Sequence, residues 1–316
     1  MRIIRSWNAL TEHAELHGGA ITMGNFDGVH MGHQQVLAEL KGHALAVGGP
    51  SVVITFDPHP RAVLFPEEAP RRLCHLHERL ELIGKAGIDA VLLLHFNEEL
   101  AGWPAEKFIQ TLHDCAASKH IHVGYDFAFG RGRSGNPDAI RVMGDKLNFT
   151  VSEASAFEML GAVVSSSRIR SAIEAADFTL AERLLGRPYS ISGHVMHGDK
   201  RGRKIGFPTA NLDVVDLSHP PAGIYAVRAR CEMSGGEEQW NGAAYLGFRP
   251  TFQGRTMVLE THMLDVEPDI YNERLEIQFV KRVREDRAYR SAEELAEQIA
   301  KDCSAARNIL DADARR

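Results

Sequence analysis

Apolar positions change their period part-way along the chain, and the change divides it. In the first part, short apolar runs alternate with segments whose apolar residues recur every three or four positions. Ala20–Met23 reads as a strand, and Gln34–Val47 as a helix with Val36, Leu37, Leu40 and Leu45 near one face. Ser51–Phe56 is a β-branched strand ending at Asp57-Pro58-His59-Pro60. His77–Ala86 reads as helix and Asp89–Leu94 as an apolar strand. Pro104 opens a helix carrying Phe108, Ile109 and Leu112, and His120–Gly124 is a further strand leading into the Gly-rich loop 124–135. A helix follows over Pro137–Leu147, with proline in its first turn. This βαβα order predicts a parallel sheet covered by helices.

Helices over Ser167–Ala176 and Thr179–Leu185 close this half, and Gly186-Arg187-Pro188 stops them. From Tyr189 the runs become short and alternating: Tyr189–Met196, Ile224–Glu232, Trp240–Leu246, Thr256–Leu264 and Arg274–Lys281. Glycine and proline punctuate them, which predicts an antiparallel barrel or sandwich. The last segment, Ala292–Leu310, is an amphipathic helix with Ser291 as N-cap and Glu294 three residues on, a capping box. The expected organisation is an α/β domain over residues 1–186 and a mostly β domain over residues 187–316.

Composition narrows the partners. The 316 residues suit two domains, and 44% hydrophobic with 25% charged residues is ordinary globular usage. A formal charge of −6 gives no bulk attraction for nucleic acid, so a bound anion must be held by local groups. Cys74, Cys115, Cys231 and Cys303 lie far apart with no C-x-x-C pair, against a zinc knuckle or a disulfide framework. No run approaches the ~18 apolar residues of a membrane span, and the N-terminus lacks a signal-peptide pattern. A soluble cytoplasmic protein is expected, with no nucleic-acid and no membrane partner; its oligomeric state is not written in the sequence.

The first chemical constellation is Gly24-Asn25-Phe26-Asp27-Gly28-Val29-His30-Met31-Gly32-His33, between the first strand and its helix. Backbone N–H groups at a helix start suit a polyanion, and the two histidines add donors. Two other readings fit the same residues: a structural turn with histidines capping the helix, or a zinc site with His59 as third ligand. Asp27 suits fixing the loop or reaching a hydroxyl. Thr55–Pro60, Gly124–Gly130 with Asp126, and Ser165-Ser166-Ser167-Arg168-Ile169-Arg170 also fall after strands, where open parallel sheets bind ligands.

The second constellation runs from Gly193 to Leu212 and packs Gly198, Gly202 and Gly206 with Lys200, Arg201, Arg203 and Lys204, ahead of Pro208-Thr209-Ala210-Asn211. It is no Walker loop, because Asp199 follows Gly198 where lysine would be needed. A solvated basic hairpin and a phosphate-binding loop both fit. Pro221–Tyr225, Gly247–Phe252 and Leu259-Glu260-Thr261-His262 follow.

G-N-F-D-G-V-H-x-G-H with the later S-S-S-R-I-R resembles the H-x-G-H nucleotidyltransferase superfamily, whose domain is a Rossmann-like parallel sheet. The full first set resembles the FMN adenylyltransferase half of the bacterial bifunctional riboflavin kinase/FAD synthetase family. The second set resembles that family's riboflavin kinase domain, a six-stranded barrel, so the resemblance covers essentially the whole chain. It implies that riboflavin, FMN and ATP are substrates and Mg²⁺ a cofactor. By the same resemblance His30, His33 and Arg168 stabilise the transferring phosphates, and Glu260 is the base for the ribityl hydroxyl. Gly24, Asn25, Phe26, Asp27, Gly28, Asp126, Ser166, Ser167, Gly198, Gly202, Gly206, Thr209 and Asn211 then line the nucleotides, with Thr209 and Asn211 also holding Mg²⁺. Four departures from the family pattern stand out: Ser167 for threonine, Asp126 for asparagine, Tyr245 within Ala244–Gly247, and Asn272 for glycine.

Overall fold

A computed structural model describes residues 1–196, 201–233, 236–251 and 254–315; residues 201, 204, 249–251 and 254–256 are described by their backbone alone. The chain folds into two compact units, Met1–Arg71 with His75–Ser166, and Arg72–Cys74 with Ser167–Arg316.

The first unit is built on six strands: β1 (Arg2–Ile4), β2 (Ala20–Met23), β3 (Ser51–Asp57), β4 (Ala90–His95), β5 (His120–Gly124) and β6 (Thr150–Ala154). They pair in parallel in the order β1-β4-β3-β2-β5-β6. The central strands are apolar on both sides because both sides are covered. Ile21, Met23, Val52, Ile54, Leu92 and Leu94 meet Phe108, Ile109 and Leu112 of the Ala105–Ala116 helix and Ile140 of the Pro137–Leu147 helix. On the other side Ala20, Val53, Val91 and Leu93 meet Leu37 and Leu40 of the Met31–Val47 helix and Leu80 and Ile83 of the Leu76–Lys85 helix. Ala44 completes the buried stripe of Met31–Val47, whereas Leu45 is 85% exposed, against the sequence expectation. At 100° per residue, Ala44 continues the line of Leu37 and Leu40 and Leu45 turns away from it.

The strand order reverses direction at β2, with β3 on one side and β5 on the other. The crevice beyond the carboxyl ends of β2 and β5 is therefore the topological switch point of this sheet, the usual ligand position. A two-residue hairpin, β7 (Glu158–Met159) and β8 (Ala162–Val163), follows the sheet.

In the second unit, β9 (Ser190–His194), β10 (Ala210–Asp213), β11 (Gly223–Met233), β12 (Gly236–Thr251), β13 (Gly254–Met263) and β14 (Arg274–Glu285) form an antiparallel sheet ordered β10-β13-β12-β11-β14-β9. A bridge between Met196 and Asn211, with the Met196 amide donating to the Asn211 carbonyl at 2.9 Å, draws the two edge strands together into a nearly closed barrel. The helices Ser166–Glu174, from Ser167 onward, and Phe178–Leu185 group with this unit. Phe178 supplies the reason: it stacks on Tyr189 at 6.2 Å and packs against Tyr225 and Phe279 at the barrel's end. The segment Arg72–Cys74 joins it as well, since Arg72 bridges Leu217 and its carbonyl accepts from the Ser218 amide at 2.8 Å.

The C-terminal helix Ala292–Asp313 lies on the outside of the barrel. Cys303, Ala306 and Leu310 pack on Ala226 and Ala243, small residues that admit the helix closely. The Arg284–Asp302 pair, with bonds of 2.8 and 2.6 Å, and Arg228–Asp313 at 2.7 Å fix it there. Ser291 accepts from the Glu294 amide at 3.2 Å, while the Glu294 carboxylate reaches the Arg290 amide, one residue before the cap. None of the four cysteines is in a disulfide.

Candidate active sites

After β2 the chain makes a tight, buried turn. Phe26 has φ +50 and is 2% exposed, Gly28 has φ +76, and Asp27 is buried. Glycine at 28 meets that left-handed conformation without a Cβ penalty. The turn is held from three sides. Thr55 Oγ1, at the end of β3, donates to the Asn25 carbonyl at 3.2 Å. The buried Arg79 donates to the carbonyls of Asn25 at 2.8 Å and Phe56 at 2.9 Å. Ser166 Oγ donates to the Asp27 carbonyl at 3.3 Å.

His30 is the N-cap of the Met31–Val47 helix, its Nδ1 accepting from the His33 amide at 3.3 Å. The two rings stack with centroids 3.6 Å apart, and Phe26 lies 5.1 Å from His33. Burial, then the His30 ring and the Arg79 guanidinium beside it, hold the His33 imidazole well below its ordinary range, so it is neutral at pH 7. His33 Nδ1 is buried with no hydrogen-bond partner among the described residues. A neutral ring at a helix start can offer a hydrogen bond to phosphate without taking up a proton. Of the other segments, His59 caps the short Pro60–Leu64 helix by accepting from the Arg61 amide at 3.1 Å. Asp126 is exposed just beyond β5.

Arg79 is the residue that motif reading missed. Its signal was present: an arginine beside Leu80 and four before Ile83 lies on the apolar side of its helix, where a charge must have partners.

The second site is the outer face of β10, β13 and β12. Asn211, Glu260 and Tyr245 stand side by side across these strands, because Asn211 pairs with Glu260 and Glu260 with Tyr245. Their neighbours Leu212, Leu259 and Leu246 point inward and are buried, so the polar row faces out. The loop before β10 folds against this face. Gly202 accepts from the Phe207 amide at 2.8 Å, and a Cβ at Gly202 would lie 2.2 Å from the Phe207 carbonyl oxygen, so only glycine permits the turn. Gly206, with φ +88, completes it. Phe207 and His262 meet edge to face, and His262 Nδ1 lies 2.8 Å from the Pro208 carbonyl. Arg203 is engaged by Glu267 at 2.5 Å on the exposed side. Asn272 has φ +65, a left-handed position that asparagine tolerates in place of glycine.

Comparison with known proteins matches each unit. The FAD synthetase family model covers residues 12–168 and the riboflavin kinase family model residues 185–310. A bifunctional riboflavin kinase/FMN adenylyltransferase of Pseudomonas fluorescens is 41% identical over 318 residues, covering 100% of both chains. The chain belongs to the bifunctional riboflavin kinase/FMN adenylyltransferase family. The relative from Haemophilus influenzae is 39% identical over 92% of this chain and 94% of its own. A solved structure titled as a macrolide-efflux protein from Streptococcus pneumoniae shares the fold, with TM-score 0.81 and 27% identity over 98% of this chain and 99% of that one. Among the described residues no helix is long and apolar enough to cross a membrane.

This family phosphorylates riboflavin to FMN and adenylylates FMN to FAD, taking phosphate and AMP from ATP, and the chain carries both activities. The structure brings Gly24–Gly28, His30, His33 and Ser166 together beyond β2. Ser167 is exposed and Arg168 half-buried on the first turn of the next helix, and both belong to the second unit. Gly202, Gly206, Thr209, Asn211 and Glu260 gather around one face of the barrel. Gly198 and Lys200 lie outside the described residues.

Proposed function

We propose that the two steps are divided between the two constellations. Residues 1–186 carry adenylyl transfer and residues 187–316 riboflavin phosphorylation, a division supported by family models that end at 168 and begin at 185. The observation that carries the kinase half is the Asn211–Glu260 register pair. It sets a carboxylate that can accept the ribityl hydroxyl proton beside an oxygen suited to a metal-bound phosphate. As Glu260 takes that proton, the alkoxide oxygen bonds to the γ-phosphorus of ATP and ADP leaves.

The donor set fits Mg²⁺. Asn211 Oδ1 is buried with no hydrogen-bond partner among the described residues, while its Nδ2 is occupied by the Thr209 carbonyl at 3.3 Å. That arrangement leaves a bare oxygen beside Glu260, the ligand type Mg²⁺ prefers, and Thr209 adds a second one. Bound Mg²⁺ would neutralise charge on the ATP phosphates. Gly198, Gly202 and Gly206 would let the loop cover them.

In the first unit the nucleophile is the FMN phosphate, already largely ionised at pH 7 because its second pKa is about 6. One of its oxygens bonds to the α-phosphorus of ATP and pyrophosphate departs. The site therefore needs donors and no base, which agrees with a capping His30 and a neutral His33 at a helix start. Gly24–Gly28, Asp126 and Ser166 would position the nucleotide. ATP as co-substrate of both steps supports a cytoplasmic location.

The test is a Mg²⁺ titration of both reactions in Asn211→Ala, with flavins separated by chromatography. FMN formation should need at least ~10-fold more Mg²⁺, with FAD formation from supplied FMN unchanged. An unchanged Mg²⁺ requirement for FMN formation would remove Asn211 from the metal site.

A further inference from the structure

A second histidine cluster lies on the other half of the Met31–Val47 helix. Glu39 and His43, one turn apart, face β5 and β6. Buried His120 and His122 alternate along β5 on one side, and Thr150 and Ser152 are their neighbours on β6. Ser152 Oγ is the focus. It lies 2.7 Å from His120 Nε2, 2.7 Å from His122 Nδ1 and 3.1 Å from His43 Nε2.

Each β5 ring is oriented by a partner on its far side. Thr150 Oγ1 lies 2.7 Å from His120 Nδ1, and His120 Nε2 is turned to the focus. His122 Nε2 lies 3.0 Å from the Glu39 carboxylate, which only accepts, so the proton is on Nε2 and Nδ1 presents its lone pair to the focus.

We propose that His43, His120 and His122, with Ser152 as a fourth donor, form a site for a divalent transition-metal ion of the zinc type. The three ring nitrogens lie within 4.8 Å of one another, a span that short side-chain movements close onto one ion at zinc–nitrogen distances of about 2.0–2.1 Å. The outer shell is in place. Glu39 backs His122, Gln35 donates to Glu39 at 2.7 Å, and Thr150 backs His120, the carboxylate and hydroxyl partners that metal-ligating histidines take. Imidazole donors select Zn²⁺, Ni²⁺ or Cu²⁺ over Mg²⁺, so this ion is distinct from the kinase cofactor. His43 follows His33 by ten residues, about 15 Å of helix, which separates the cluster from the phosphate-facing turn. A bound ion would clamp the far end of the helix whose first turn carries His30 and His33.

The experiment uses the full chain, stripped with chelator and titrated with Co²⁺ and Zn²⁺. One equivalent of Co²⁺ should give the intense visible absorption of a low-coordinate nitrogen-ligated ion, displaced by Zn²⁺, and Zn²⁺ should raise Tm. His43→Ala, a half-buried helix position, should weaken binding at least ~100-fold, and His120→Asn should do the same. Ser152→Ala should retain binding, because it removes only the weakest donor of the four. Absence of a tight equivalent, or a Co²⁺ spectrum unchanged in His43→Ala, would overturn the site. If His120→Asn does not fold by circular dichroism, wild type and His43→Ala decide alone. Loss of binding in Ser152→Ala with an intact fold would also count against it.

Discussion

The two constellations solve opposite halves of one problem. The turn after β2 offers hydrogen-bond donors: a helix start, a capping imidazole and a second imidazole that burial keeps neutral. The face of β10, β13 and β12 offers acceptors: the Asn211 amide oxygen and the Glu260 carboxylate. The difference follows the nucleophile. A phosphate arrives ionised and needs its charge stabilised, whereas a ribityl hydroxyl arrives protonated and needs somewhere for its proton to go. The scaffolds follow too. Donors come readily at the N-terminus of a helix behind a parallel strand. A row of side chains on adjacent antiparallel strands sets the proposed base beside the proposed metal ligand by register alone.

The sharpest way to break this contrast is Glu260→Ala. Riboflavin phosphorylation should fall by ~10²–10⁴, the usual worth of a general base, with FAD synthesis from supplied FMN unchanged. Loss of both activities together would mean the sites are not separate. The reciprocal variant is His30→Asn, which keeps an N-cap and removes the ring. FAD formation should fall ~10²–10³ while FMN formation holds. A normal rate would reduce His30 to a cap.

Stability should separate the units as well. Asp302→Ala leaves Arg284 half-buried without its bidentate partner and should cost about 3–5 kcal/mol by denaturant unfolding, with riboflavin phosphorylation losing heat resistance before FMN adenylylation. Acid should act the other way round. Burial, then His43 and His122 beside it, hold His120 at about 4 when folded against an ordinary 6.5. The unfolded chain therefore binds the extra proton first. In metal-free protein, stability is lost as pH falls from 6.5 towards 4. Unfolding monitored between pH 7 and 4 should show the first unit weakening; a flat profile would contradict it.

Much of the fold was legible because burial writes continuous patterns. β3 and β4 are largely apolar on both faces, and the Pro137–Leu147 helix carries Asn136 as cap ahead of its proline. β6 escaped because it is an edge strand with one buried residue, Ala154. β10 escaped because its four residues sit inside a loop motif. Trp240–Leu246 extends to Gly236–Thr251 because pairing with β11 and β13 lengthens a strand past its apolar stretch. The candidate site residues stood out as motifs, since the glycines, histidines and Thr209–Asn211 stand close in sequence. Arg79, and the grouping of Glu39, His43, His120, His122 and Ser152, were not, because helix packing and strand pairing alone bring those positions together.

Asn211 holds two posts at once: its carbonyl accepts the bond from Met196 that draws the barrel's edges together, and its side chain faces Glu260. Any fluctuation that unzips this seam therefore also displaces the amide oxygen from the phosphate-facing row. Loading the face with nucleotide should in turn hold the seam shut. The Met196 amide becomes a natural reporter whose deuterium uptake slows as the kinase site fills.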